Sequence, residues 1–112
     1  MMKNNAVYLL NILDAIDQIE EYTSDLKKDD FLNNRLVQDA VVRNFEIIGE
    51  ATKNLSPSFR KKYAKMPWKN MSGMRDKLIH NYMGVDWDII WATVTDVLPD
   101  IKNKITVILD EV

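Results

Sequence analysis

The stretch from Phe31 to Asn54, FLNNRLVQDAVVRNFEIIGEATKN, decides the fold of this chain. Its apolar residues recur every three or four positions, which is the period of one face of an α-helix. The stripe consists of Val37, Val41, Phe45, Ile48 and, just beyond the stretch, Leu55. This pattern predicts a long helix from about Phe31 to Asn54 that buries one face against other helices.

A second stripe at helical spacing predicts a first helix over Asn5 to Lys27. The stripe comprises Leu9, Ile12 (or Leu13), Ile16, Ile19, Tyr22 and Leu26. The polar run at residues 28–30 breaks this pattern. Asp29 or Asp30 is suited to cap the helix that follows, because a short carboxylate side chain accepts hydrogen bonds from the first free backbone N–H groups.

Three further helix starts follow residue 55. Ser56-Pro57 is a capping residue followed by a proline in the first turn, and it predicts a short helix to Ala64. Pro67 begins another helix, which should reach about His80. Asp86 can cap a last helix over Trp87 to about Leu109.

Few residues in the chain break helices, since it contains only three glycines and three prolines. Pro99 lies inside the last helix and should kink it, because proline removes a backbone donor and crowds the preceding turn. No alternating β-branched run, hairpin dipeptide or internal repeat favours strands. The prediction is therefore an all-α fold in a single domain over residues 1–112: an antiparallel four-helix bundle with a short additional helix.

Composition excludes several classes of protein. The 112 residues include no cysteine, which excludes disulfides and thiolate metal sites. Hydrophobic residues make up 46% and charged residues 29%, as in ordinary globular proteins. No signal-peptide pattern or membrane-spanning apolar run is present, so we expect a soluble, cytoplasmic protein with no membrane association.

Charge is distributed unevenly along the chain. The net charge is −2, yet the segment from Arg60 to Lys77 carries seven basic residues and one acid, Asp76, for a local charge of +6. The basic residues are Arg60, Lys61, Lys62, Lys65, Lys69, Arg75 and Lys77. Such a segment either attracts a polyanion or forms a solvated helix face.

The segment ending in Arg75-Asp76-Lys77-Leu78-Ile79-His80-Asn81-Tyr82 contains the only histidine of the chain. A lone histidine is most often a hydrogen-bonded or exposed side chain with no catalytic role. On an ideal helix, Arg75 and His80 are separated by about 140° around the axis and about 7.5 Å along it. They share a face only if the helix ends or distorts near His80. Two copies paired along this helix, in contrast, can line one cleft with both residues.

The pattern Arg75-x4-His80-x-Tyr82 resembles the R-x4-H-x-Y signature of HEPN proteins of the HepT type. The likeness extends over about Asn5 to Leu109. Further matching stretches are RNFEIIGEA at 43–51, Pro67-Trp68, Gly73-Met74-Arg75, Gly84-Val85-Asp86 and Ile89-Ile90-Trp91.

This resemblance implies a four-helix core bundle, a homodimer and RNA cleavage without a metal or other cofactor. It also implies a toxin whose partner is a minimal nucleotidyltransferase antitoxin encoded beside it. By analogy with the family, that antitoxin silences the toxin by transferring AMP to the motif tyrosine, here Tyr82.

The residue types suit such chemistry. RNA cleavage by the 2′-hydroxyl needs a base, an acid for the leaving 5′ oxygen and a cation for the phosphate. His80 of one protomer is predicted to act as base, while the partner's His80, or an Arg75, assists the leaving group. The expected products are a 2′,3′-cyclic phosphate and a 5′-hydroxyl. Asn81 either orients the phosphate or His80, or is simply a helix-ending polar residue.

Supporting roles remain open for several other residues. Arg43, Glu46 and Glu50 form either a polar layer behind the site or a surface ion-pair series. Trp68, Trp87 and Trp91 are predicted to be core residues. Interface packing is predicted for Met66, Met71, Met74 and Met83.

Two other functions fit the same sequence. The first alternative is a non-catalytic helical subunit that binds and regulates a minimal nucleotidyltransferase. A purely structural bundle is a third possibility.

Overall fold

The computed structural model of the protein describes residues 4–80 and 84–112, and for residues 75–80 it describes the helical backbone alone. Chain order gives α1 (Asn5–Thr23), α2 (Lys28–Leu32), α3 (Arg35–Asn54), α4 (Pro57–Lys62), α5 (Trp68–His80), α6 (Trp87–Ala92) and, after a π-helical turn (Thr93–Val97), α7 (Leu98–Glu111). No strand occurs in these described ranges, and the all-α prediction is confirmed. None of the helices they contain is both long and apolar enough to cross a membrane.

The predicted boundary between the first two long helices was wrong. The first helix ends at Thr23 instead of Lys27, residues 28–30 lie in the short helix α2, and breaks occur at residues 24–27 and at Asn33-Asn34. The Asp30 carboxylate accepts a hydrogen bond from the backbone N–H of Lys27 at 3.0 Å, which stabilises the start of α2. Asn34 caps α3 instead, since its side-chain oxygen accepts from the Val37 N–H at 3.1 Å.

The predicted caps at Ser56 and Asp86 are confirmed. The Phe59 N–H donates to Ser56 Oγ at 3.2 Å. Asp86 Oδ1 accepts from the backbone N–H groups of Asp88 at 3.0 Å and Ile89 at 3.2 Å. Both helices therefore begin where the sequence indicated.

The last predicted helix is divided in two. A π-helical turn at Thr93–Val97 separates α6 from α7, and Pro99 lies in the first turn of α7. A proline costs least there, because the first backbone N–H groups of a helix have no partner inside it. The described ranges thus hold two additional short helices, α2 and α4, where the sequence predicted one.

Contacts between helix ends define the two ends of the molecule. The Ser56 N–H donates to Asn5 Oδ1 at 3.0 Å, and Asn5 Nδ2 donates to Ser56 Oγ at 3.3 Å, so α1 begins where α3 finishes and α4 starts. We call this the α4 end. At the opposite α2 end, Lys28 forms a 2.9 Å ion pair with Asp88, the second residue of α6.

The last helix returns along α1. Lys102, early in α7, bonds Asp17 at 2.9 Å and Glu20 at 3.0 Å in the second half of α1. These hydrogen bonds raise the pKa of Lys102 above its usual value. Since α7 then runs toward the α4 end, it is antiparallel to α1.

Aromatic rings tie the short helices to the core. Phe31 of α2 is fully buried, and its ring centroid lies 6.1 Å from that of Trp87 and 5.2 Å from that of Trp91. Trp68 is also buried, and its indole N–H donates to the Tyr63 carbonyl at 3.0 Å. The prediction that the tryptophans belong to the core is confirmed for Trp68, whereas Trp87 and Trp91 are half-buried and pack against the core.

The interpretation of the methionines as interface residues was wrong for two of them. Met66 and Met71 are buried within this chain, and Met71 is fully inaccessible. Met74 is half-buried against the same core. Met83 falls outside the described residues.

The cap of α3 is open to a direct test. Asn34→Ala removes the acceptor of the Val37 N–H and should lower the free energy of unfolding by about 1 kcal/mol. The matched control is Asn33→Ala, which removes one exposed hydrogen bond to the Asp29 carbonyl. Chemical denaturation followed by circular dichroism should find Asn34→Ala the less stable variant, and equal stabilities would contradict the assignment of the cap.

Candidate active site

The helix that carries the motif is fixed at its start. Trp68 packs against the ring of Phe59, with 6.2 Å between centroids, and its backbone N–H donates to the Met66 carbonyl at 2.8 Å. One turn later, the Met71 N–H donates to the Pro67 carbonyl and its side chain is fully buried. These contacts set both the direction of α5 and its rotation about its own axis.

The two predicted catalytic residues lie in the second half of α5. The α-helical backbone of α5 continues through Arg75 to His80. The ideal separation of about 140° and about 7.5 Å between these positions therefore applies to the backbone. Arg75 and His80 of one protomer thus stand on different sides of the helix. Asn81 and Tyr82 fall outside the described residues.

A cavity of about 590 Å³ lies between α5, α3 and the start of α6. We call it the motif-side hollow. Its lining consists of Phe45, Lys69, Asn70, Gly73, Met74, Gly84, Val85, Asp86, Ile89, Ile90 and Thr93. A Cβ atom built on Gly73 would meet nothing within 4 Å, so the surface of α5 is open at this position. The hollow is mainly apolar, and its one described cation is Lys69.

Described charges at the α2 end are of both signs, because Lys27, Lys28 and Arg35 are exposed there beside several carboxylates. Exposed carboxylates come from Asp29 and Asp30 in α2 and from Asp86 and Asp88 at the start of α6. Lys28 offsets one of them, and its hydrogen bond to Asp88 raises the pKa of Lys28. Lys28 therefore stays protonated at neutral pH and joins α2 to α6.

The basic segment predicted from the sequence is not gathered around the motif. Arg60, Lys61 and Lys62 lie in the last turn of α4, and Lys69 lies in the first turn of α5. His80 stands eleven residues beyond Lys69, about 16 Å along the helix axis. The lysines at positions 61, 62, 65 and 69 are exposed, as a solvated surface requires.

Lys104 also lies in this basic region, although the sequence around it does not predict this position. Together with Lys62 and Lys65 it lines a second cavity of about 590 Å³ at the α4 end, which we call the α4-end hollow. The remaining lining is Tyr63, Ala64, Met66, Val107, Ile108 and Glu111. Only the return of α7 to this end brings Lys104 near the lysines of α4, which are about forty residues earlier in the chain.

The predicted supporting residues lie along α3. Arg43 is exposed, whereas Glu46 is half-buried. Glu50 is exposed and engaged with a partner. Ile47 and Glu50 follow Arg43 by about one and two helical turns, so the three residues share a face of α3. The described contacts do not test a role in catalysis, so the roles of Arg43 and Glu46 remain predictions.

Within the described side chains, no three histidine, aspartate or glutamate residues form a group suited to a metal ion.

Comparison with known proteins identifies a family and relatives that are described as ribonucleases. A family model described as "Ribonuclease HepT-like" matches residues 12–108. The chain is 44% identical over 104 residues to the "Probable ribonuclease HepT" of Thermococcus cleftensis, covering 93% of this chain and 94% of that protein. It is 42% identical over 110 residues to a "Putative RNase" of Caldanaerobacter subterraneus subsp. tengcongensis, covering 98% of each.

A two-function relative matches as well. The chain is 48% identical over 111 residues to a "Gamma-glutamylcyclotransferase and putative RNase" of Methanocaldococcus jannaschii. The match covers 99% of this chain and spans half the length of that protein. No solved structure matches the chain.

Proposed function

The chain belongs to the HepT-like ribonuclease family, and on this premise we propose that it is a metal-independent endoribonuclease toxin with Arg75 and His80 as its catalytic residues. The observation that carries the proposal is the course of α5. Its regular helical backbone carries both Arg75 and His80, the only histidine in the chain, five residues apart on one rigid element.

A homodimer completes this site. Since Arg75 and His80 of one protomer stand on different sides of α5, a second α5 related by a two-fold axis supplies the missing partners to a shared cleft. Apolar side chains exposed at the same end support this arrangement. Leu36, at the start of α3, is 80% exposed, and Ile89 of α6, which lines the motif-side hollow, is 62% exposed.

In this cleft the RNA supplies its own nucleophile. Neutral His80 of one protomer accepts the proton of the 2′-hydroxyl while the 2′ oxygen attacks the adjacent phosphorus. The bond from phosphorus to the 5′ oxygen breaks, and that oxygen takes a proton from the protonated His80 of the other protomer. Arg75 stabilises the charge on the non-bridging oxygens, because a guanidinium donates to two phosphate oxygens at once. The products are a 2′,3′-cyclic phosphate and a 5′-hydroxyl.

Regulation is proposed to act at Tyr82 through a minimal nucleotidyltransferase antitoxin. Transfer of AMP to the phenol oxygen, with release of pyrophosphate from ATP, adds a negative phosphodiester two residues beyond His80. This charge competes with the RNA phosphate for Arg75, and the nucleoside blocks the cleft. Asn81, between the two, is proposed to orient the phosphate or His80.

Cleavage should persist in EDTA and should depend on both motif residues. His80→Ala and Arg75→Ala are each expected to lower the cleavage rate by about 10²- to 10⁴-fold, the usual contribution of one positioned catalytic group. The matched control is Arg35→Ala. It removes an exposed arginine whose ion pair with Asp39, at 3.9 Å, is weak. A fluorescent RNA assay measures the rates, with circular dichroism as the check on folding. Full activity in His80→Ala would contradict the mechanism.

The dimer proposal can be tested at Ile89. Ile89→Glu places a charge on an exposed apolar side chain beside the motif-side hollow, and it should yield a helical monomer that cleaves RNA poorly. Leu10→Glu is the matched control, because Leu10 of α1 is 55% exposed and lies toward the α4 end. Light scattering gives the molar mass. A wild-type monomer that cleaves RNA at full rate would exclude the shared cleft.

The modification site is tested by incubation with the proposed minimal nucleotidyltransferase antitoxin and ATP. Wild-type protein should gain the mass of adenylyl groups and lose RNA cleavage, whereas Tyr82→Phe should gain no mass and stay active. Tyr22→Phe, which alters a 40% exposed tyrosine of α1, should behave like wild type. Intact-mass spectrometry distinguishes these results. Equal modification of Tyr82→Phe and wild type would exclude Tyr82.

A further inference from the structure

We infer that the α4-end hollow binds the last helix of a second copy of this chain, so that two α7 helices lie antiparallel across it. The two-fold axis of this contact passes between Val107 and Ile108. The contact is separate from the proposed dimer at the motif, because α7 returns to the α4 end whereas Ile89 lies beside the motif-side hollow. It therefore does not depend on the proposed function.

The hollow has an apolar floor and an exposed apolar side chain beside it. Met66 and Ile108, which line it, are only 7% and 6% exposed. Val107 lines it too, yet it is 61% exposed. A second α7 laid across the hollow covers Val107 and places its own Val107 above Met66 and Ile108. Removal of both valines from water favours association.

Four residues of α7 make this surface complementary to itself. Lys104, Val107, Ile108 and Glu111 all line the hollow. They occupy positions i, i+3, i+4 and i+7, which lie within about 100° on one side of a helix. The set is symmetric about the midpoint between residues 107 and 108. In an antiparallel pair with its two-fold axis at this midpoint, Lys104 faces Glu111 of the second copy, and this pairing occurs twice.

The partners that these two charges already have do not prevent the new pairs. Lys104 bonds Asp100 at 3.0 Å, but both side chains are at least half exposed, and such a pair contributes little to stability. An ammonium group can also donate to three acceptors. Burial and a hydrogen bond to Glu111 raise the pKa of Tyr63. The Glu111 carboxylate keeps further lone pairs, so it can accept from Tyr63 and from a lysine together.

The opposite wall of the hollow carries cations that suit an acidic helix. Lys62 and Lys65 line this wall and are exposed. Neither of them forms a salt bridge within the part of the chain that the structure describes. Asp110 precedes Glu111 on α7, and both are exposed. A second α7 therefore brings two carboxylates to a hollow with three lysines in its lining.

RNA fits this hollow less well than a protein helix. The Glu111 carboxylate in its lining repels phosphates. The one aromatic ring in the described lining, Tyr63, already has Lys62 at 5.5 Å from its centre and the Phe59 ring at 4.9 Å. A base that stacked on Tyr63, as single-strand binding requires, would compete with both neighbours.

Reversal of the two paired charges tests the antiparallel contact. Wild-type protein should associate further as its concentration rises from micromolar to millimolar in low salt, since a contact this small is weak. Lys104→Glu and Glu111→Lys should each weaken this association roughly tenfold or more, because each variant places like charges opposite each other twice. An equimolar mixture of the two variants should associate like wild type, because every lysine then faces a glutamate. Sedimentation velocity measures the association.

Matched controls carry the same charge changes away from the hollow. Lys27→Glu and Glu21→Lys alter exposed residues near the α2 end and should associate like wild type. All four variants should keep the helicity and RNA cleavage of wild type. Wild-type protein that keeps one size up to millimolar concentration, or a mixture that fails to associate, would overturn the inference. Hollow variants that keep the wild-type sizes but lose RNA affinity would also overturn it and assign the hollow to RNA.

Discussion

Burial of Trp68 and Met71 against the core is the constraint on which the rest of the structure depends. Met71 is fully buried, and the indole of Trp68 is fixed by the Tyr63 carbonyl. A helix held in this way at its first turns can neither rotate nor slide without exposing apolar surface, which would cost roughly 1.5–3 kcal/mol for each side chain exposed. The positions of Arg75 and His80 on α5 follow from these two contacts.

Sequence patterns predicted much of the fold for physical reasons. Ser56-Pro57 and Asp86 each stand alone before an apolar stripe, so their capping roles were unambiguous. The α2 region was harder, because four capping residues, Asp29, Asp30, Asn33 and Asn34, occur within six positions. Local propensity does not determine which of these residues caps α3. The burial of Phe31 against Trp87 and Trp91 determines it, because this packing keeps the residues around Phe31 in a separate helix.

The sequence indicated which residues to consider for the candidate site but not how they are arranged in space. Adjacent positions in the chain suggested that the basic residues from Arg60 to Lys77 act together. In the fold, α5 spreads them from the α4 end of the molecule to the other end, and α7 adds Lys104 from far along the chain. Charge counted along a sequence therefore overstates how closely the cations meet.

In the proposed mechanism, RNA is cleaved by its own 2′-hydroxyl, and side chains alone move the protons. The most direct test is mass analysis of the fragments from a defined oligonucleotide cleaved in EDTA, beside the same oligonucleotide with one 2′-deoxy nucleotide at the cleaved position. We expect a 2′,3′-cyclic phosphate on the upstream fragment, a 5′-hydroxyl on the downstream fragment and no cleavage at the deoxy position. A 5′-phosphate product, or cleavage at the deoxy nucleotide, would contradict this mechanism.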